Sequence, residues 1–158
     1  MAVVTSSHAG ASNFIVWLKD SLGGSVEVFV NEIGAYDGSG AVGITTGAQY
    51  LLDIDADGVW AIEITQPREA NAPSTTSFAG SGDHATPLFS MSGGLQIFDL
   101  SYSGPSNFAV WLMDEDGGLE DLLANEIGSY TGSDSASVGG GQYLLDVTAS
   151  GPWTVTIR

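Results

Sequence analysis

The chain contains no cysteine and only three basic residues, and both absences restrict what it can do. Without thiols it can form no disulfide, and two histidines at unrelated positions do not supply a zinc ligand set. Nineteen acidic residues give a formal net charge of −16, whereas nucleic acids and anionic membranes are bound through Lys and Arg. We therefore expect no nucleic-acid partner.

Long apolar runs are also absent. No stretch approaches the roughly 20 apolar residues of a membrane span, so the sequence predicts no membrane insertion. Residues 1–12 lack the basic start and the apolar centre of a signal peptide. An acid excess with a single lysine is typical of proteins in high salt or in a calcium-containing exterior, although solubility alone also explains it. From this composition we expect a secreted or cell-surface location.

The sequence is a tandem duplication. Residues 12–39 are repeated as residues 106–133, with 16 of the 28 positions identical. The match resumes at Gln49 and Gln142 after a Gly-rich loop in which one residue has been lost, and it continues to the end of each half. Positions that differ between the two halves can therefore be compared within one chain.

The repeat predicts two domains. We place the first unit at residues 1–66, a linker rich in Pro, Ala, Ser and Thr at 67–77, and the second unit at 78–158. Residues 78–94 have no counterpart before the first unit. We therefore expect the first unit to present an open sheet edge, which favours pairing with another strand.

Apolar residues recur at every second position between clusters of Gly, Ser and Asp, which predicts short β-strands and no helix. Because each strand has one apolar face that another sheet must cover, we predict an all-β fold of two tandem antiparallel β-sandwich, jelly-roll-like repeats. The predicted strands of the second unit are 88–91, 95–102, 107–113, 121–125, 136–138, 142–149 and 152–157, of which the last six recur in the first unit. The predicted core face of the last hairpin is Leu52, Ile54, Ala56, Trp60, Ile62 and Ile64, matched by Leu145, Val147, Ala149, Trp153, Val155 and Ile157. The opposite face of both hairpins is predicted to be solvated.

Four features in order carry a family resemblance: an apolar strand at 107–113, the turn Asp116-Gly117-Gly118, the strand at 141–147 and a last strand at 153–157. Together they resemble the bacterial pre-peptidase C-terminal domain family, over most of each unit. The resemblance implies a non-catalytic β-sandwich module that is appended to secreted proteins, often in tandem.

Calcium is the one cofactor that the acidic side chains suit, and none is expected to be required. Three aspartates alternate before Gly58, as in the first half of the Asp-x-Asp-x-Asp-Gly calcium loop, but the second half of that loop does not match and strand alternation explains the spacing. Other aspartates occur in Gly-rich turns, which favour Asp for backbone reasons alone. The candidate calcium ligands are Asp53, Asp55, Asp57, Asp20, Asp114 and Asp116.

Aromatic residues suggest a second kind of site. Trp17 and Trp111 are predicted on the strand face opposite the core, where an exposed indole can stack on a sugar ring. Tyr36 and Tyr130 precede the Gly-rich loops and are candidates for the same site. Packing against a loop or against the other repeat is the commoner reason for such a Trp.

No catalytic group of residues is evident, and we expect the protein not to be an enzyme. A hydrolase using His84 with Asp83 and Ser81 is the least favoured reading, because proximity in sequence does not assemble a site. The leading hypothesis is a structural, adhesive or assembly module. Its partners would be other copies of the repeat or a surface protein, with a strand such as 88–91 completing a neighbouring sheet. The alternative is a carbohydrate-binding accessory module whose partner is polysaccharide.

Overall fold

The computed structural model describes residues 1–44 and 47–158, and its regular secondary structure is entirely strand. The first unit contains β1 (Ala2–Ala9), β2 (Asn13–Asp20), β3 (Ser25–Ile33), β4 (Tyr36–Val42), β5 (Tyr50–Ala56) and β6 (Val59–Thr65). Three short strands follow: β7 (Ser77–Ser81), β8 (His84–Ala85) and β9 (Phe89–Met91). The second unit contains β10 (Gly94–Tyr102), β11 (Asn107–Asp114), β12 (Leu119–Ile127), β13 (Tyr130–Val138), β14 (Gly141–Ala149) and β15 (Pro152–Ile157).

Each unit consists of two antiparallel sheets. In the first unit the order is β4-β1-β6 in one sheet and β3-β2-β5 in the other. The second unit repeats this arrangement with additional strands, as β13-β10-β15-β7 and as β12-β11-β14, with β8 and β9 both pairing with β14. The predicted all-β, sandwich-like fold is confirmed.

The core of each unit lies between its two sheets and follows the predicted alternation. Phe14, Val16 and Leu18 of β2 are buried, whereas Trp17 points to the other side of its sheet. At the same end of both cores an aromatic ring from the first strand stacks on the Phe of the second. His8 lies on Phe14 in the first unit, and Tyr102 lies on Phe108 in the second, both with ring centroids 4.7 Å apart.

A glycine explains why the segment Asn-Glu-Ile-Gly is retained in both halves. Gly34 and Gly128 have φ angles of 95° and 88°, in the left-handed region that other residues rarely adopt. Their amides donate to the carbonyls of Ser12 and Ser106, at 2.8 and 2.9 Å. The motif therefore ends one strand and starts the next.

The segment between the two units completes the second unit. Strand β7 pairs with the edge strand β15, and Phe78 packs against Phe89, with ring centroids 4.8 Å apart. Gly80 lies directly below Trp153, because a Cβ built there would be 2.5 Å from the indole ring. The indole Nε1 donates to the Gly82 carbonyl at 3.0 Å. Sequence analysis placed a strand at 88–91 but missed β7, which is rich in Ser and Gly, and β8, which has only two residues.

Among the residues that the structure describes, no such strands cover the last hairpin of the first unit, which is therefore open. Trp60 is 46% exposed and Ile64 is 50% exposed, whereas their counterparts Trp153 and Ile157 are 2% and 6% exposed. The prediction that Trp60 and Ile64 are core residues was therefore wrong. The alternation was read correctly, but the strand that would cover these side chains comes from outside the repeat.

This difference predicts unequal effects of the same mutation. Trp153→Ala should cost about 3–5 kcal/mol of unfolding free energy, the range for deleting a fully buried large aromatic side chain. Trp60→Ala should cost much less, about 1–2 kcal/mol, because half of that side chain is already in contact with water. Urea unfolding of both variants checks this, and equal losses would contradict an open first unit.

Candidate functional site

The two units meet at a junction that covers the outer face of β11 and β14. Sequence analysis predicted that this face of β14 is solvated, but Met113 and Leu144 are buried there. The physical reason is that the first unit packs on them. The apolar cluster of the junction comprises Met1, Val3 and Ala41 from the first unit, Ala72 and Leu88 from the connecting segment, and Trp111, Met113 and Leu144 from the second unit.

Hydrogen bonds fix the position of β4 at this junction. The Ser39 amide donates to the Asp83 carbonyl at 3.1 Å, and the Ser39 hydroxyl accepts from the Ala85 amide at 3.0 Å. The Tyr36 hydroxyl donates to Asp83 Oδ2 at 3.0 Å. Burial, and then the nearby Asp83 carboxylate, raise the pKa of Tyr36 well above its usual range, so the phenol stays protonated and remains a donor.

Asp146 is the one carboxylate that the junction strongly perturbs. Its Oδ1 accepts from the Ala41 amide at 3.1 Å. Burial raises the pKa of Asp146 to about 7, with smaller contributions from Asp83 and Glu27, and the Ala41 hydrogen bond opposes this rise. Its counterpart Asp53 is exposed and forms an ion pair with Lys19. No feature of the local sequence distinguishes these two aspartates, because the difference comes from the other unit.

The predicted calcium ligands lie apart and mostly serve the backbone. Asp20 and Asp114 each accept two turn amides in the same way, at 2.9 and 2.7 Å, from Leu22 and Gly24 and from Asp116 and Gly118 respectively. Asp57 Oδ2 accepts from the amides of Ala11 and Ser12, which lower its pKa, and its Oδ1 is 3.2 Å from His8 Nε2. Asp53 pairs with Lys19, Asp55 is exposed, and the Asp116 carbonyl accepts from the amino terminus at 3.1 Å. Within residues 1–44 and 47–158, no three His, Cys, Asp or Glu side chains are grouped as metal ligands.

The four aromatic candidates do not share one surface. Trp111 is partly buried in the junction cluster, whereas Trp17 is exposed on the corresponding face of the first unit. Tyr36 lies at the junction, and Tyr130 packs against the core of the second unit. The structure therefore leaves Trp17 as the accessible indole of this set.

A cavity of about 640 Å³ lies between the units, and Ser81, Asp83 and His84 are among the residues that line it. Asp83 has other partners, because one carboxylate oxygen accepts from Tyr36 and the other from the Ala149 amide at 3.0 Å. The His84 ring instead lies near the Trp153 ring, with centroids 6.1 Å apart. In the described part of the chain, Ser81, His84 and Asp83 form no hydrogen-bonded chain of side chains.

The edges of β5 and β6 flank a strip of exposed and partly exposed apolar side chains. In the second unit, β14 pairs with β8 and β9, and β15 pairs with β7. The equivalent strands β5 and β6 each have a described neighbour on one side only, β2 and β1 respectively. Between these two edges lie the partly exposed apolar side chains of the hairpin: Leu52, Ile54, Trp60, Ile62 and Ile64. We call this the open groove.

Comparison with known proteins gives no match to any family model and no significant match to a curated protein. Within the described residues, no helix has the length and apolar character needed to cross a membrane.

The perturbed carboxylate at the junction yields a pH-dependent prediction. Because the folded pKa of Asp146 lies above its unfolded value, the folded state loses stability as the pH rises from about 4 through about 7. Asp146→Asn keeps the Oδ1 acceptor for Ala41 and removes the charge, so it should stabilise the protein at pH 8 by about 1–3 kcal/mol and have little effect at pH 4.

The matched control is Asp53→Asn, which removes the charge at the corresponding exposed position. It should leave the melting temperature unchanged or slightly lower at pH 8, since an exposed ion pair contributes little. Thermal melts of both variants at the two pH values check this. Destabilisation by Asp146→Asn at pH 8 would show that the ionised form is favoured at the junction.

Proposed function

We propose that this chain is a non-enzymatic structural and assembly module that joins a neighbouring protein by accepting its β-strand in the open groove. The observation that supports this proposal is a difference between the two halves. The same hairpin is closed in the second unit by β7, β8 and β9 and is open in the first. An unpaired sheet edge that flanks exposed apolar side chains favours strand addition, in which main-chain hydrogen bonds supply affinity and side-chain pockets supply specificity.

The second unit indicates what the groove would accept. In β7 the partner side chain opposite Val155 is Phe78, and the residue opposite Trp153 is Gly80. At the same registers of β6 the groove presents Ile62 and Trp60. A complementary strand therefore carries an apolar aromatic residue and, two positions later, a glycine over which the Trp60 ring can lie.

The acidic residues around the groove disfavour pairing of two identical grooves. Asp53, Asp55 and Glu63 are exposed on the outer faces of β5 and β6. If β5 paired with β5 of another copy, like charges would face one another, which is destabilising. This supports acceptance of a neutral strand, such as one resembling residues 77–91, rather than edge-to-edge self-pairing.

A secreted or cell-surface setting is part of the proposal and is supported by composition. A net charge of −16 with three basic residues opposes close association in dilute buffer, and external salt or calcium would screen that repulsion. Calcium is proposed as an ion that strengthens assembly by screening or weak binding, and no catalytic role is assigned to it.

A synthetic peptide with the sequence of residues 77–91 tests strand acceptance. We expect it to bind and to slow amide hydrogen exchange selectively in β5 and β6, because these are the unpaired edges. Binding should also shift the Trp60 fluorescence to shorter wavelength as its exposed indole is covered. A Trp60→Phe variant identifies that signal among the four tryptophans.

The matched control peptide carries Gly80→Val. At the equivalent site of the second unit a Cβ would lie 2.5 Å from the indole ring, so this peptide should bind at least roughly tenfold more weakly, a difference of ~1.4 kcal/mol. Equal binding of both peptides, or slowed exchange outside β5 and β6, would contradict acceptance in the open groove. Parallel measurements in chelator, calcium and sodium chloride separate specific ion binding from screening.

Exposure of Trp17 favours a second candidate function, binding of polysaccharide. An indole on an open strand face fits the apolar face of a sugar ring. We expect Trp17→Ala to abolish co-sedimentation with insoluble polysaccharides while the thermal melt is unchanged, and Trp111→Ala to leave that binding intact because Trp111 lies in the junction. Retained binding in Trp17→Ala would remove this candidate.

A further inference from the structure

We propose that a second copy of this chain docks on the outer face of the first unit's β3-β2-β5 sheet through β10 and β13 of its own second unit. This contact would bring together, between copies, the counterparts of the two faces that meet at the junction inside each chain, without the hydrogen bonds that Asp83 and Ala85 supply there. It rests on the assembly function proposed above but uses a different surface from the open groove, so the two can fail separately.

At the junction, the outer face of β11 and β14 receives the first unit. Its counterpart, the outer face of β2 and β5, is uncovered, and we call it the receiving surface. In the second unit, Leu144 is 0% exposed, in a cluster with Met1 of the first unit and Leu88 of the connecting segment, whereas its counterpart Leu51 is 55% exposed. Trp17 likewise corresponds to the junction residue Trp111 and is exposed. Leu51 and Trp17 lie on neighbouring strands of one sheet, β5 and β2. The Lys19–Asp53 ion pair lies between these two exposed apolar side chains, since Trp17 is opposite Asp53 and Lys19 is opposite Leu51.

The face of β1 and β4 that packs into the junction also has a counterpart. It lies on β10 and β13 of the second unit, and we call it the inserting surface. Met1 lies in the junction and is 6% exposed, whereas its counterpart Leu95 is 67% exposed. Val3 is the next junction residue on the same face, and Ile97 takes its place in the second unit. The strand pairing is also the same, because Val3 pairs with Ala41 in the first unit as Ile97 pairs with Ser135 in the second. One position differs: Ser137 stands in place of Gly43, on which a Cβ would lie 2.2 Å from the Gly117 carbonyl oxygen, so two copies must lie farther apart at this point than the two units do.

Some residues that meet at the internal junction have charged counterparts on the two uncovered surfaces. Inside the chain, Gly40 lies against Asp146, whose Oδ1 is the nearest atom at 3.8 Å from a Cβ built on that glycine. Between copies, Asp134 would replace Gly40 and Asp53 would replace Asp146, which brings two carboxylates together.

The receiving surface supplies a cation at this point. Lys19 stands where the junction has Met113, and it already pairs with Asp53. A lysine between Asp53 and Asp134 of the second copy would neutralise the added acid. The only lysine of the chain therefore lies where a contact between copies requires a positive charge.

Because a contact of this kind joins two different surfaces, a bound pair of copies still has one free surface of each type. Repetition gives rings if the rotation closes and open filaments if it does not. The alternative, a twofold dimer, would use one surface twice. This difference allows a test by mixing variants.

The test uses Leu51→Glu, which blocks the receiving surface, and Leu95→Glu, which blocks the inserting surface. Both leucines are exposed, so each variant should fold as the parent does, and thermal melting checks this. In sedimentation velocity at molar sodium chloride, where repulsion is screened, the parent chain should form a concentration-dependent series of oligomers. Each variant alone should remain monomeric, with association weakened at least roughly tenfold by a buried charge at the interface.

An equimolar mixture of the two variants should form a one-to-one dimer and nothing larger, because one intact surface of each type remains. Val59→Glu is the charge-matched control, since Val59 is 81% exposed in the β5–β6 hairpin and outside both surfaces. It should associate as the parent does. A parent chain that stays monomeric, a mixture that does not dimerise, or variants that associate like the parent would each overturn the proposal.

Two further measurements locate the contact and separate it from the open groove. Lys19→Met should weaken association a few-fold, and adding Asp134→Gly should restore it, because that pair recreates the residues of the internal junction. Absence of this rescue would show that Lys19 and Asp134 do not meet. Binding of the 77–91 peptide should be unaffected by Leu95→Glu, so loss of oligomers in that variant with retained peptide binding counts for this interface alone.

Discussion

The need to cover both the face and the edge of every strand determines how this chain is organised. A single repeat of six strands closes most of a sandwich but leaves the last hairpin with two free edges. In the second unit, residues 77–91 remove both edges and bury Trp153, and the first unit covers the outer face of β11 and β14. Each of these contributions comes from outside the repeat. The two halves are therefore similar in sequence and unequal in completeness.

The many carboxylates are easier to understand once these packing relations are known. Asp20 and Asp114 hold equivalent turns, Asp57 holds the chain between β1 and β2, and Asp99 binds Arg158. These are local uses of an acceptor that a turn or a strand end requires. Asp146 differs, because the first unit removes it from water and leaves it one amide donor. Most of these carboxylates thus lie in turns and on strand surfaces. Asp146 is the one whose burial depends on contact between the two units.

The sequence predicted those parts of the fold that depend on neighbours within one repeat. Alternation identified the buried face of β2 and that of the last hairpin in the second unit, and comparison of the two halves predicted an open sheet edge in the first unit. What could not be predicted depends on distant partners. Trp60 has the same alternation pattern as Trp153, but in the described part of the chain its strand pairs with β1 alone, and Asp53 aligns with Asp146 but is exposed. Strand β7 was not predicted because Ser and Gly dominate Ser77 to Ser81. Gly80 leaves the space that the Trp153 indole occupies.

The strength of a contact between copies can be judged from the junction inside the chain. There, residues 66–76 tether the two units, and a short tether acts as a local concentration on the order of millimolar. The tether also contributes Ala72, and Leu88 comes from the segment that follows. Two separate copies lack these contributions and carry many negative charges toward each other. Each such contact should therefore be weak at low salt, and cooperation with strand acceptance at the open groove would strengthen it. Because the receiving face and the open groove both belong to the first unit, a docked copy and a separate strand would occupy neighbouring sites. The second unit, which is covered in this way by residues 1–91 of its own chain, shows that the two kinds of contact are sterically compatible.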